Sequence, residues 1–130
     1  MSYKLDWKEK GLVCVFYREF SNENLLESTA EIINDPRLLS LEYAIYDFSD
    51  VKEYPVETSI FQQIGQSAAE SYKQNSIIKL AIVSNTTVMK GIMNVYKTYF
   101  QLANNNETWE IKMFRTRKEA EKWVLNSQLK

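Results

Sequence analysis

The sequence predicts an α/β fold: a mixed, mostly parallel five-stranded sheet, opened by an antiparallel hairpin and covered by about four helices. Three observations carry that expectation. Two strand-like stretches stand back to back at the start of the chain, separated only by Glu9-Lys10-Gly11. Beyond them, stretches that alternate apolar with polar residues take turns with stretches of helical period. No repeat, linker or low-complexity run divides the 130 residues, so residues 1–130 are read as a single domain, long enough to bury a core without disulfide or metal.

Tyr3, Leu5 and Trp7 alternate with Lys4, Asp6 and Lys8, the pattern of an edge strand with one buried and one wet face. Leu12-Val-Cys-Val-Phe-Tyr17 is apolar on both faces, so the second strand is expected to be central and the pair to form a hairpin. Ser21 is placed to cap a helix, with Phe20 and Leu25 as its hydrophobic staple. Leu25, Leu26, Thr29, Ile32 and Ile33 then recur at helical spacing until Asp35-Pro36 stops them. Tyr43-Ala-Ile-Tyr-Asp-Phe48 reads as the third strand, Ser49 to Tyr54 as a loop, and Pro55 as the opening of a second helix carrying Ile60, Phe61, Ile64, Ala68 and Tyr72. Lys79-Leu-Ala-Ile-Val83 is the fourth strand, and a third helix runs from about Thr86 to Ala103. Asn104-Asn-Asn106 breaks that helix. Trp109, Ile111 and Met113 alternate with Glu110 and Lys112 as the last strand, and Thr116-Arg-Lys-Glu119 is a capping box for a closing helix that buries Ala120, Trp123 and Val124.

Composition removes whole classes of function. With 16 basic against 17 acidic side chains there is no net field to attract a polyanion, so no nucleic-acid partner is expected. The absence of histidine takes away the commonest general base and metal ligand. A single cysteine, Cys14, takes away disulfides and cysteine-cluster sites. No catalytic residue, cofactor or metal is assigned, and the protein is not expected to be an enzyme. The N-terminus lacks the apolar run of a signal peptide, and no stretch reaches the length needed to span a bilayer. A chain that is not transmembrane, with a lone cysteine in a strand, is expected in the cytoplasm.

Three stretches carry a family resemblance: Leu12 to Phe20, Tyr43-Ala-Ile-Tyr-Asp-Phe-Ser-Asp-Val51, and Met113-Phe-Arg-Thr-Arg-Lys-Glu-Ala-Glu-Lys-Trp-Val124. They resemble, in turn, the second strand and its exit, the hydrophobic strand ending in Asp-Leu-x-x-Val, and the closing strand and helix of the STAS family, the fold of bacterial anti-sigma factor antagonists. The long helix from Thr86 and the ending Phe114-x-x-x-x-Glu-Ala-x-x-Trp-Val are similar to the STAS-like proteins grouped with lipid-binding SEC14-type domains, which are mostly uncharacterised. In the antagonists, a serine within Asp-Ser-Ser-Gly at the start of the helix after the third strand is phosphorylated by a partner kinase, which dissociates the complex. The corresponding stretch here is Lys52-Glu-Tyr-Pro-Val-Glu-Thr-Ser59. Glu57-Thr58-Ser59 lies nearest the motif, with no glycine after it and a few extra residues before it.

Each candidate site has an ordinary and a functional reading. Thr58 and Ser59 are helix-capping residues or, as the resemblance implies, a phosphorylation site whose added charge the helix amides would favour. Asp47, Asp50, Glu53 and Glu57 form a solvated acidic loop or a magnesium site. Arg115, Arg117 and Lys118 pair with Asp50 or Glu53, or hold a small anion at the start of the final helix. In the helix from Thr86 the apolar residues fill about 180° of arc, more than the roughly 100° a sheet-packed helix must bury. Its flank of Met89, Met93, Tyr96 and Phe100 is therefore either covered by neighbouring helices or left as a surface for a partner or an acyl chain. Cys14 is expected to be buried and inert.

These readings make the expected function that of a non-enzymatic regulatory or protein-interaction module of STAS-like type. It would have a protein partner or self-associate, with a Ser/Thr phosphoswitch at the start of the second helix. The alternative is a carrier of a small apolar or lipid-like ligand, of SEC14-related type, with a pocket of roughly a few hundred Å³ beside the Thr86 helix.

Overall fold

A computed structural model of the chain describes residues 2–53, 55, 57, 59–60, 63–64, 78–104 and 109–126. The hairpin is made by β1 (Tyr3–Trp7) and β2 (Gly11–Glu19), paired antiparallel from Tyr3↔Phe16 to Trp7↔Leu12. Then follow α1 (Asn22–Asn34), a short 3-10 helix (Pro36–Ser40), β3 (Tyr43–Glu53), β4 (Ile78–Val83), α2 (Thr87–Asn104), β5 (Trp109–Phe114) and α3 (Arg117–Asn126). The five strands lie in the order β1-β2-β3-β4-β5, with every pair after the hairpin parallel. Spatial order equals chain order, so each crossover adds one strand on the same side and β3 becomes the middle strand.

Alternation of side chains across the sheet makes two cores. On one face, Leu12, Cys14 and Phe16 of β2, Ala44 and Phe48 of β3, and Leu80 and Ile82 of β4 pack with Leu25 and Ile32 of α1 and Met89 and Met93 of α2. On the other, Val13, Tyr43, Ile45, Ala81 and Val83 pack under Ala120 and Val124 of α3. The first core is centred on three rings. Phe16 and Phe48 stack at 4.8 Å, and Phe20 meets both edge-on at 5.2 and 4.9 Å.

Helix ends follow the capping chemistry read from the sequence. Ser21 Oγ accepts from Asn24 N at 3.1 Å, and Thr116 Oγ1 accepts from Glu119 N at 3.2 Å. Thr86 Oγ1 likewise accepts from Met89 N at 3.2 Å, so α2 begins at Thr87 with Thr86 as its cap. Asp35 ends α1 and also starts the 3-10 helix, where its carboxylate accepts from Arg37 N at 2.9 Å; this second turn is new relative to the sequence reading.

One expectation is corrected. The stretch from Ser49 to Glu53, read as loop, continues β3, because β2 itself runs on to Glu19 and offers it a partner. Tyr17 pairs with Asp50, Arg18 with Val51 and Glu19 with Glu53, with irregularities after Val15 and after Arg18. Arg18 takes a left-handed φ of 63° at the second irregularity, and Phe20 N donates to Glu53 O at 2.9 Å just beyond it. Such bulges shift the alternation, leaving Phe48 and Val51 buried three residues apart and hiding the period of two. Three α-helices lie wholly among the described residues. The helix expected from Pro55 to Tyr72 falls mostly outside those residues, with Ile60, Gln63 and Ile64 helical within it.

Candidate functional site at the carboxyl edge of the sheet

Parallel strands that end together place their following residues side by side. Asp47 pairs with Val83 and Val83 with Phe114, and Ser84 N donates to Phe114 O at 2.9 Å. Asp47, Ser84 and Arg115 therefore lie along one edge, where open α/β sheets place ligands.

Asp47 is 7% exposed and already engaged. Its Oδ1 accepts from Ser49 N at 2.9 Å and from Ser49 Oγ at 2.6 Å. Its Oδ2 accepts from Arg117 Nη1 at 3.3 Å, and Arg117 Nε reaches Glu121 Oε2 at 3.2 Å. The ion pair expected between the basic residues and Asp50 or Glu53 thus forms with Asp47. Asp47 shares the face of Tyr43 and Ile45 that meets α3, whereas Asp50 and Glu53 are exposed beyond the bulge. Lys118 is also exposed and, like Asp50, makes no ion pair among the described residues. No three carboxylates come close enough to hold a metal ion among the described residues, so the four acidic positions do not converge.

Of the two switch candidates, Thr58 lies outside the described residues. Ser59 is exposed, in the turn that leads into helical Ile60. That turn is tied to the first residue of α1. Glu57 N donates to Asn22 Oδ1 at 2.8 Å, and Ile60 N donates to Glu57 O at 3.1 Å. The entry to α1 is itself fixed by Asn24, a buried amide whose Nδ2 donates to Glu19 O at 2.8 Å. Asn22, Glu57, Ser59 and Ile60 thus form one surface where two helices begin.

Of the two readings of the methionine flank, Met89 and Met93 follow the covered one, at 1% and 2% exposed, and so present no open docking face. Met93 is covered laterally by α1. It lines a cavity of about 30 Å³ together with Leu25, Ile32, Cys14, Phe16 and Phe48. A helix that packs on a sheet and against a neighbouring helix needs the wider apolar arc that the sequence shows. That cavity has room for about one water molecule, not an acyl chain, and is not the pocket of roughly a few hundred Å³ expected for a carrier. Tyr96 and Phe100 are within α2, and their side chains lie outside the described residues. Cys14 is fully buried, and burial pushes its thiol far above the ordinary range, as expected of an inert core residue.

The sequence reading missed one feature of this edge. Ser84, Asn85, Thr86, Thr87, Lys90 and Arg115 line a polar concavity of about 320 Å³ at the start of α2. In sequence, Thr86 reads as the approximate start of a helix, and nothing there joins Ser84, Asn85 or Lys90 to Arg115. Only the pairing of β4 with β5 brings Arg115 to them.

The architecture defines the class: an antiparallel hairpin feeding a parallel sheet in sequential order, with one core under α1 and α2 and another under α3, is a STAS-like α/β fold. The particular likeness is to anti-sigma factor antagonists. The chain superposes on the anti-sigma factor antagonist SpoIIAA in its unphosphorylated form with a TM-score of 0.63 and 10% identity, over 95% of this chain and 96% of that one. The phosphorylated form of the Bacillus cell fate determinant SpoIIAA matches with a TM-score of 0.57 and 11% identity, over 94% and 98%. An uncharacterized DUF3478-family protein with a SpoIIAA-like fold from Shewanella loihica PV-4 matches with a TM-score of 0.56 and 14% identity, over 94% and 91%. At such identities the likeness is one of fold. No family model matches the sequence, and no curated protein matches it. Among the described residues no helix is long and apolar enough to cross a membrane.

Proposed function

We propose that the protein is a non-enzymatic regulatory module of the cytoplasm that docks a protein partner, or a second copy of itself, through the surface where α1 and the following helix begin, and that phosphorylation of Ser59 or Thr58 releases it. The observation supporting this reading is the exposed Ser59 in a turn anchored to Asn22, on a fold shared over nearly the whole chain with an antagonist known in phosphorylated and unphosphorylated forms. A phosphate there brings a charge near −2 beside Glu57 and next to Asn22. Repulsion from an acidic partner surface, with the desolvation a phosphate resists, would then open the complex.

The test is made on tagged chain expressed at its natural level in the cells that produce it. Cross-linking mass spectrometry should place one partner on peptides containing Asn22, Glu57 or Ser59, and peptide mapping should find phosphate at Ser59 or Thr58. Ser59→Asp should reduce recovery of that partner by about tenfold or more while Ser59→Ala does not. Cross-links confined to other surfaces, or equal recovery with both variants and no phosphate at either position, would reject the reading.

A further inference from the structure

We infer that the concavity at the start of α2 binds a small phosphorylated molecule through Lys90 and Arg115. Among the described residues this site shares no lining residue with the surface around Ser59. Its two cations come from different elements, Lys90 from the first turns of α2 and Arg115 from the residue after β5, and both line the same 320 Å³ concavity. Each is exposed, and neither makes an ion pair among the described residues. Arg117, two residues beyond Arg115, is by contrast held by Asp47 and Glu121. Among the described residues the rest of the lining is Ser84, Asn85, Thr86 and Thr87, which contribute hydroxyl and amide groups and no carboxylate.

Two positive charges around a concave surface with no counter-ion among the described residues focus a positive potential inside it. A phosphate monoester carries about −1.5 to −2 charges at neutral pH and three acceptor oxygens, which matches two cations and neighbouring hydroxyls. The first-turn amides of α2 add to this field but do not carry the argument. A volume of about 320 Å³ is larger than one phosphate group and lies at the lower end of small-molecule sites. The ligand is therefore a phosphate with a small organic body. Among the described lining residues no apolar side chain would seat the residues flanking a phosphoserine, which favours a small molecule over a phosphopeptide.

The test is an NMR titration of the isotopically labelled full chain with glycerol 3-phosphate near neutral pH and at physiological salt. Saturable shifts are expected at residues 84–90 and 115–116, with a midpoint below about 1 mM. Lys90→Gln and Arg115→Gln should each raise that midpoint about tenfold with the remaining spectrum unchanged, whereas Lys118→Gln, at the start of α3, leaves it as it is. No saturation by about 10 mM, or equal midpoints in wild type and both variants, overturns the site. Two further arms test the ligand class. Inorganic phosphate binding as tightly as glycerol 3-phosphate overturns the organic body, and a phosphoserine tripeptide binding more tightly overturns the small-molecule assignment.

Discussion

Gly11 and Tyr43 are partners on the first rung of the β2–β3 pairing, and the Tyr43 ring lies over the glycine. A Cβ built at Gly11 would fall on Cζ, Cε1 and Cε2 of that ring. Gly11 has no positive φ, so space and not conformation demands the glycine. Tyr43 is 8% exposed and held among Val13, Ile45 and Val124, leaving the ring little room to move within the core. Overpacking of this kind costs about 1–3 kcal/mol. Expelling the ring instead would forfeit a burial of similar worth, about 1.5–3 kcal/mol. Alanine returns about 0.4–1 kcal/mol by restricting the unfolded chain. Gly11→Ala is therefore expected to destabilise by about 1–2 kcal/mol, which for a chain of this length lowers Tm by about 4–7 °C. Urea unfolding followed by tryptophan fluorescence and far-UV circular dichroism measures it. In a Tyr43→Leu background, which removes the ring, the cost of Gly11→Ala should shrink to about 0.5 kcal/mol or less. A neutral Gly11→Ala, or the same cost in both backgrounds, would refute the argument.

Three further expectations follow from the same contacts. Tyr3, through burial and then its hydrogen bond to Glu31, and Tyr43, through burial, both titrate above their ordinary value. The unfolded chain thus loses those protons first. Stability is complete below about pH 10 and falls as pH rises, by up to about 1.4 kcal/mol per pH unit for each group. Urea midpoints measured from about pH 8 to 11 should fall more gently in a Tyr3→Phe/Tyr43→Phe chain, and parallel curves would contradict the assignment. Asp47→Ala strands the Ser49 donors as well as Arg117, so it should cost about 2–3 kcal/mol, whereas Arg117→Ala, on a residue whose side chain is 35% exposed, should cost about 1. Denaturation curves giving equal losses would show that the Ser49 bonds contribute nothing. Met93→Ala should cost about 2–5 kcal/mol in thermal melts, and Met93→Asp should abolish cooperative unfolding. A folded, soluble Met93→Asp chain would return the methionine flank to the surface.

Local physics made much of the fold legible in the sequence. The alternation from Tyr3 to Trp7, the Ser21 and Thr116 caps and the stop at Asp35-Pro36 are decided by residues within one or two turns of each other, and each is found where its chemistry places it. The misreadings all involve a distant neighbour. Ser49 to Glu53 is too polar to look like a strand, and becomes one because β2 extends to Glu19 and bulges to stay in register. Likewise, what decides between the two readings of Met93 is lateral cover from α1, about half the chain away. The partner of Arg117 followed from side-chain parity on β3, which an undetected bulge obscured between Phe48 and Val51.

Parity also explains why the charges on the carboxyl edge separate. Val83 and Phe114, the last residues of β4 and β5, both point into the core under α3. Successive residues on a strand alternate faces, so Ser84 and Arg115 turn toward the side on which α2 begins, and both line its concavity. Arg117 is the first residue of α3 and stays on the side of that helix, where Asp47 meets it from the same face of β3. Two arginines separated by one residue are thereby given opposite circumstances. One is neutralised within an ion pair that fastens α3 to the middle strand. The other is left beside Lys90 in a concavity with no carboxylate among its described lining residues. The division follows from where β5 stops. A one-residue insertion between Phe114 and Arg115 would reverse which side the cation faces, so the positive concavity depends on the register of an edge strand as much as on the residues that line it.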